Sequence, residues 1–494
     1  MLEYGDISLT SYTRMNSMKT YFGCTRSLVL LIPIIVLSAC SSDSANTDPN
    51  DSNAILFEPC LDVSGLDCGA FEVPLIHDST DNRKISIQVA RLPGTGDGPH
   101  EPLLFIEGGP GSGTEVLSEF AQSGFFPDAI RERYDIIGFD HRGVGSTLQV
   151  DCDQLGNASS VPYPRDQSDV MTVVNDFTML ADSCSAELDD QLQWVGSNAV
   201  VQDMDVMRSM LNASKLNFIS TSSGTRIAAL YLERFPESSG RVVLDAPLPP
   251  DGTVDTILME SAAAQQASFD QMLNACGTTL PDCDRSAVEA AFIARVNTII
   301  DSGDVDTFGA FFILLDLAID ESEVGELLAP LLIDYAINGD PTNMFAVIQE
   351  FGLDGDEADG LTLERAVLCA DDAARPSAES LLTKLGRLNE SSDFFAEKLL
   401  PTAASCVGWP EALQPVSDIR TADAPASLVI GGMGDVRTPI SLAIETADAI
   451  GGVLVSSDHQ GHGTVFVREN DCVDSIVVEF LVEGTLPPSG TSCN

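Results

Sequence analysis

The chain has 494 residues, enough for one large domain with an insertion or for two or three domains. Hydrophobic residues make up 44% of it, which is ordinary for a globular protein with a substantial core. Asp and Glu number 75 against 25 Lys and Arg, a formal net charge of -50, so a polyanion is repelled and nucleic acid is excluded as a partner.

The first informative stretch is MKTYFGCTRSLVLLIPIIVLSAC (18–40). It has a basic start at Lys19 and Arg26, an apolar run from Leu28 to Leu37, and the small residues Ser38 and Ala39 before Cys40. The run is short for a transmembrane helix and reads as an export signal. Its ending, LSAC, resembles the lipobox of bacterial lipoproteins. That resemblance implies that residues 1–40 are a lipoprotein signal peptide ending in Cys40, which is lipidated and becomes residue one of the mature protein. Ser41, rather than Asp, after the cysteine favours the outer membrane, facing the periplasm or the surface. Residues 41–55 form a polar tether. Ten cysteines follow, an even number in an oxidising compartment, so disulfides are expected. The simplest pairing is sequential: Cys60–Cys68, Cys152–Cys184, Cys276–Cys283, Cys369–Cys406 and Cys472–Cys493. There is no CxxC pair, and no metal site is expected.

Strand patterns come next at 69–78, 84–94, 102–113 and 134–146, the last two ending in glycine-rich loops. Helical spacing marks 168–188 and 199–214. NFISTSSGTRIAALYLERFPE (217–237) runs from strand to helix, and RVVLDAPLPP (241–250) is another short buried strand. Residues 255–412 read as helices without clear strands. From 413 to 494 the strand pattern returns in PASLVIGGMGDVRTP and GVLVSSDHQGHG, and a helix follows over 472–484. The expectation is an α/β fold: a mostly parallel sheet with helices on both faces, formed by 56–254 and 413–494 and interrupted by a helical cap over 255–412.

STSSG (220–224) has the shape of a nucleophile elbow, a sharp strand-to-helix turn holding an exposed serine in strained geometry. Small residues are needed two before and two after the nucleophile. Ser222 meets this with Ser220 and Gly224, whereas Ser223 has the bulky Thr221 and Thr225 in those places. A serine needs a base, and the base an orienting carboxylate. Of five histidines only His459 and His462 follow the serine, and His462 is flanked by glycines in GHG. Asp435 stands in the loop after the preceding strand. It could instead cap the helix that follows, though Thr438 before Pro439 serves that better. The oxyanion hole is expected from the N–H groups of Ser223 and of Gly109 in EGGPG (107–111).

Together, EGGPGSG, DHRGVGS, STSSGTRIAALYLERFPE, GGMGDVRTP and GHG resemble the motifs of α/β-hydrolases of the proline iminopeptidase and tripeptidyl aminopeptidase kind. The resemblance covers about 56–254 and 413–494, the latter like the C-terminal region of the tripeptidyl aminopeptidases. It implies a triad of Ser222, Asp435 and His462, release of N-terminal residues or short peptides, and no cofactor. By position in the family, Asp371 and Asp372 are expected to hold the substrate ammonium. Glu107 replaces a histidine of the family pattern, Ser220 its first elbow glycine and Ser223 an aromatic residue. Asp140 and Arg142 read as structural. Two other functions remain open: a carboxylic-ester hydrolase acting on a small ester, and a non-catalytic binding lipoprotein.

Overall fold

The computed structural model describes residues 54–494 except 62, 146, 149, 151, 153–159, 252, 277–283, 354–357, 422–424 and 468–469. The lipidation site expected at Cys40 and most of the tether lie outside the described residues. Ten strands form one sheet: β1 (Glu58–Pro59), β2 (Asp67–Pro74), β3 (Lys84–Leu92), β4 (Glu101–Ile106), β5 (Tyr134–Asp140), β6 (Leu216–Thr221), β7 (Ser239–Asp245), β8 (Ser427–Gly432), β9 (Val453–Ser457) and β10 (Thr491–Cys493). Their order is β1-β2-β3-β5-β4-β6-β7-β8-β9-β10. The first three strands pair antiparallel, and all pairings from β5 to β10 are parallel.

Five helices precede the insertion: α1 (Gly113–Ser123), α2 (Asp128–Arg133), α3 (Gln167–Leu188), α4 (Ser197–Met210) and α5 (Gly224–Arg234). Between β7 and β8 come α6 (Val254–Met272), α7 (Arg285–Ser302), α8 (Val305–Asp320), α9 (Ser322–Asn338), α10 (Thr342–Phe351), α11 (Ala358–Asp371), α12 (Ala378–Ser391) and α13 (Ala396–Ala403). The chain ends with α14 (Ile440–Ile450) and α15 (Asp471–Glu483) around β9. The helix ends carry ordinary signals. Asp284 and Asp304 accept backbone N–H bonds at the starts of α7 and α8, and Gly303 and Gly339 close α7 and α9 in the left-handed conformation.

The apolar runs of the central strands divide by the two-residue period of a strand. Leu104, Ile106, Phe218, Val242, Leu244 and Val429 face α4, α5 and α14. Their neighbours Leu103, Phe105, Ile219, Val243, Leu428 and Ile430 face α1, α2 and α15. A third cluster is helical. Phe269, Phe292, Phe311, Leu332, Phe395 and Trp409 pack there, and α3 joins them through Val170, Phe177 and Leu180. The helix expected over 168–188 therefore packs its buried face with the inserted helices.

Four disulfides match the sequential pairing: Cys60–Cys68, Cys152–Cys184, Cys369–Cys406 and Cys472–Cys493. Cys276 is also disulfide-bonded, and its expected partner Cys283 lies outside the described residues. Cys369–Cys406 closes a separation of 37 residues among the inserted helices. By loop-closure entropy it stabilises the fold by about 4 kcal/mol. A Cys369→Ser, Cys406→Ser variant is expected to lose that amount in a urea titration; a loss near zero would mean the loop is held by packing alone.

Candidate active site

The parallel register levels the strand ends. Ile106 pairs with Ser220, Thr221 with Asp245, Asp245 with Ile430, and Gly432 with Ser457. The loops that leave these ends therefore gather on one edge of the sheet, where open α/β folds bind their ligands.

Ser222 stands in the turn between β6 and α5 with φ +53°, a left-handed backbone that a non-glycine residue adopts only under constraint. The constraint is close packing. A methyl group added at Gly224 would lie 2.4 Å from Ile106 O and 2.8 Å from Glu107 O. Two residues before Ser222, Ser220 is fully buried, and its hydroxyl donates to Val243 O at 3.1 Å. That bond explains how the elbow accepts serine for the family's glycine.

His462 and Asp435 meet as the sequence implied. Imidazole Nδ1 is 2.9 Å from Asp435 Oδ2. Three further donors fix the carboxylate: Arg437 N at 2.9 Å and Thr438 N at 2.8 Å on Oδ1, and Thr438 Oγ1 at 2.8 Å on Oδ2. Helix α14 begins after Pro439 without a side-chain cap, so Asp435 is not spent on capping it. With Nδ1–H donating to Asp435, Nε2 is left as the acceptor. Residue 463 lies against Thr221, since a methyl group at Gly463 would be 3.5 Å from Thr221 Cγ2. This brings the GHG loop to the elbow. Burial pushes the His462 imidazole down, but the charge and hydrogen bond of Asp435 outweigh it and leave the pKa raised. Burial likewise pushes Asp435 up, and His462 with the Thr438 donors brings it below the ordinary carboxylate range. The main chain of His459 instead props the preceding turn, its carbonyl accepting from Gly434 N at 3.2 Å.

The EGGPG loop lies directly on Ser222. A methyl group at Gly108 would be 2.6 Å from Ser222 Cβ and 3.2 Å from its Oγ, so only glycine fits there. Gly109 follows at φ +111°. Among the described residues no group accepts the N–H of Gly109 or of Ser223, as an oxyanion hole requires.

Asp371 and Asp372 are not placed to meet a substrate ammonium. Asp371 is 1% exposed; its two oxygens accept Ser197 N at 2.7 Å and Ser197 Oγ at 2.6 Å, and Arg226 lies 3.6 Å away. Asp372 is also buried and caps backbone, accepting Val254 N and Ala374 N. In a low-dielectric interior these carboxylates are consumed by their own donors. Asp140 and Arg142 are structural. Asp140 binds Ser112 and Thr114, and the fully buried Arg142 donates to Asp203 and to three backbone carbonyls.

Other carboxylates, none of them singled out from the sequence for substrate binding, lie beside His462 or Arg437 instead. Glu107 is half-buried beside the glycine pair, and burial pushes its carboxyl up to about 7 against the pull of the Gly108 N–H and the His462 charge. Glu119 on α1 interacts with it electrostatically. From the inserted helices, Asp320 pairs with Arg437 at 2.8 Å, and Glu364 remains solvent-accessible though protein crowded around it raises its pKa. Ser261 on α6 donates to Arg437 O at 2.8 Å. The inserted helices thus hold the loop that carries Asp435. Among the described residues no group of three or more His, Cys, Asp or Glu is placed to hold a metal ion.

Residues 101–293 match the model of the alpha/beta hydrolase fold, and residues 392–493 match that of the TAP-like proteins. The chain has the α/β-hydrolase fold. It is a serine hydrolase of that fold. Serine protease Hip1 of Mycobacterium tuberculosis (strain H37Rv) is 26% identical over 466 residues, covering 87% of each chain. Carboxylesterase B of the same strain is 26% identical over 458 residues and 86% of each chain. Tripeptidyl aminopeptidase of Streptomyces lividans is 22% identical over 468 residues, 87% of this chain and 83% of that one.

A base must be neutral to accept a proton, so a raised His462 pKa moves the loss of activity to higher pH. The acid limb of kcat/KM is expected to inflect above about 6.5, the ordinary histidine value. Asp435→Asn is expected to bring that inflection down and to lower kcat by about 10,000-fold. An unchanged inflection in the variant would show that the two side chains do not act together.

Proposed function

We propose that this α/β-hydrolase is an exported serine aminopeptidase, of prolyl or tripeptidyl type, that removes N-terminal residues from short peptides. One observation carries it: a strained Ser222 between the glycine loop and the GHG loop, whose imidazole is hydrogen-bonded to Asp435 at 2.9 Å. In this reading His462 Nε2 takes the Ser222 hydroxyl proton as Oγ bonds to the scissile carbonyl carbon. The developing oxyanion is held by the Gly109 and Ser223 N–H groups. The imidazolium, stabilised by Asp435, gives its proton to the leaving amine as the C–N bond breaks. Water, deprotonated by the same imidazole, then releases the acyl group.

The aminopeptidase character is supported by the likeness to the tripeptidyl aminopeptidase and to the TAP-like family over 392–493. A free ammonium requires carboxylate acceptors, and Glu107 in the field of His462 and the solvent-accessible Glu364 in the field of Arg437 are the candidates. A second reading, hydrolysis of small carboxylic esters, is favoured by the likeness to carboxylesterase B. Export with a lipid anchor at Cys40 belongs to the same proposal and rests on the 18–40 signal and on the disulfides, which need an oxidising compartment.

Hydrolysis of free-amine alanyl, prolyl and tripeptidyl anilides, compared with their N-blocked forms and with p-nitrophenyl esters, separates the two readings. Free-amine anilides are expected to be cleaved best, and Ser222→Ala to lose about 10,000-fold or more in kcat. Ester cleavage alone would move the protein to the second reading. Glu107→Gln and Glu364→Gln each remove a charge-assisted bond of about 1.5–3 kcal/mol, so KM for free-amine substrates is expected to rise about 10- to 100-fold in at least one of them. Labelled palmitate is expected to enter the wild-type chain in cells and not Cys40→Ser; equal labelling would contradict the anchor.

A further inference from the structure

We propose that Asp245 is a positioning residue that sets the nucleophile elbow and the histidine loop in register with each other. It is the last residue of β7 and is 1% exposed. Its backbone carbonyl accepts the N–H of Ser222 at 3.1 Å. Its side-chain Oδ2 accepts the N–H of Thr464 at 2.7 Å and of Val465 at 2.9 Å, the second and third residues after His462. A methyl group on Gly463 would lie 3.5 Å from the same oxygen. The next residue, Ala246, turns away at φ +52° and donates its N–H to Ile430 O of β8, the strand that leads to Asp435. One residue and its neighbour therefore touch the elbow, the histidine loop and the strand that leads to the acid-bearing loop.

The choice of a carboxylate calls for an explanation. A buried charge is costly unless it is paired, and the donors on Asp245 are two neutral amides, while Oδ1 has no partner among the described residues. Amide bonds to a charged acceptor are roughly twice as strong as neutral ones, and a rigid hold on residues 464 and 465 is what such strength supplies. The charged groups facing it are His462, which favours its charge, and Asp435, which opposes it. Burial pushes the Asp245 carboxyl up to about 6, the Thr464 and Val465 amides pulling against it. Above that pH it is charged and grips the loop. As pH falls through it the carboxyl neutralises and the grip weakens.

The inference rests on the serine hydrolase reading of Ser222 and His462, and its test separates the two. Asp245→Asn and wild type are compared from pH 5 to 8 on whichever anilide or p-nitrophenyl ester the wild type turns over. The variant is expected to lose about 10- to 100-fold in kcat with KM changed by less than about threefold, as for a small misplacement of reacting groups. The slope of log kcat/KM on the acid side is expected to steepen from about 1 towards 2 below pH 6 in wild type and to stay near 1 in the variant, because only wild type then binds a second inhibitory proton. A variant with wild-type kcat, or a loss confined to KM, overturns the inference and leaves the enzyme reading standing. A wild type inert to every substrate sinks both. Should the variant fail to fold, the wild-type slope decides: a slope of 1 down to pH 5 overturns the role.

Discussion

The close approach of β4 to the start of α5 is the constraint on which the site depends. Ile106 O and Glu107 O stand where any side chain on residue 224 would have to go. With the helix forced that near, the turn before it has no relaxed route, and Ser222 is held at φ +53°. The same approach seats Gly108 on the serine's Cβ. Ser222 and the glycine loop are therefore set by one packing contact. The strain is sustained because the flanking strands are largely buried and paired on both sides, which leaves the turn no freedom to open.

Electrostatics adds a second layer. The chain carries a net charge of -50, and among the described residues most carboxylates are not buried. The site departs from this. Asp435, Asp245 and Glu107 crowd around a single imidazole in two states: the first lowered by His462 and its other donors, the other two raised by burial. Their separate environments let neighbouring carboxylates serve different ends, one bonded to the imidazole and one to backbone amides. Arg437, clasped by Asp320, tempers that field and ties the inserted helices to the acid-bearing loop.

Much of this was legible in the sequence because its signals are local. A strand, a tight turn and a helix within 217–237 identify the elbow. Glycines either side of His462, and the place of Asp435 after a buried strand, single out the pair that the structure brings to 2.9 Å. Sequential disulfides follow from loops that close over short separations. What stayed hidden is set by long-range packing. Asp371 and Asp372 look free in one dimension, yet α4, α5 and the start of α6 supply their partners. Nothing in the spacing of 168–188 says that its apolar face packs with the inserted helices. Asp245 reads as the end of a strand, and its second role appears only when Thr464 is folded back on it from 219 residues away.

The central claim is that one serine of three in STSSG is the nucleophile, because only one is held in the strained, accessible turn. The most direct measurement is mass-spectrometric mapping of the adduct formed by a fluorophosphonate on the oxidised, folded chain, with a heat-denatured sample as control. The account predicts a single adduct on Ser222, absent after denaturation. An adduct on Ser220 or Ser223, or no adduct on the folded chain, would contradict it.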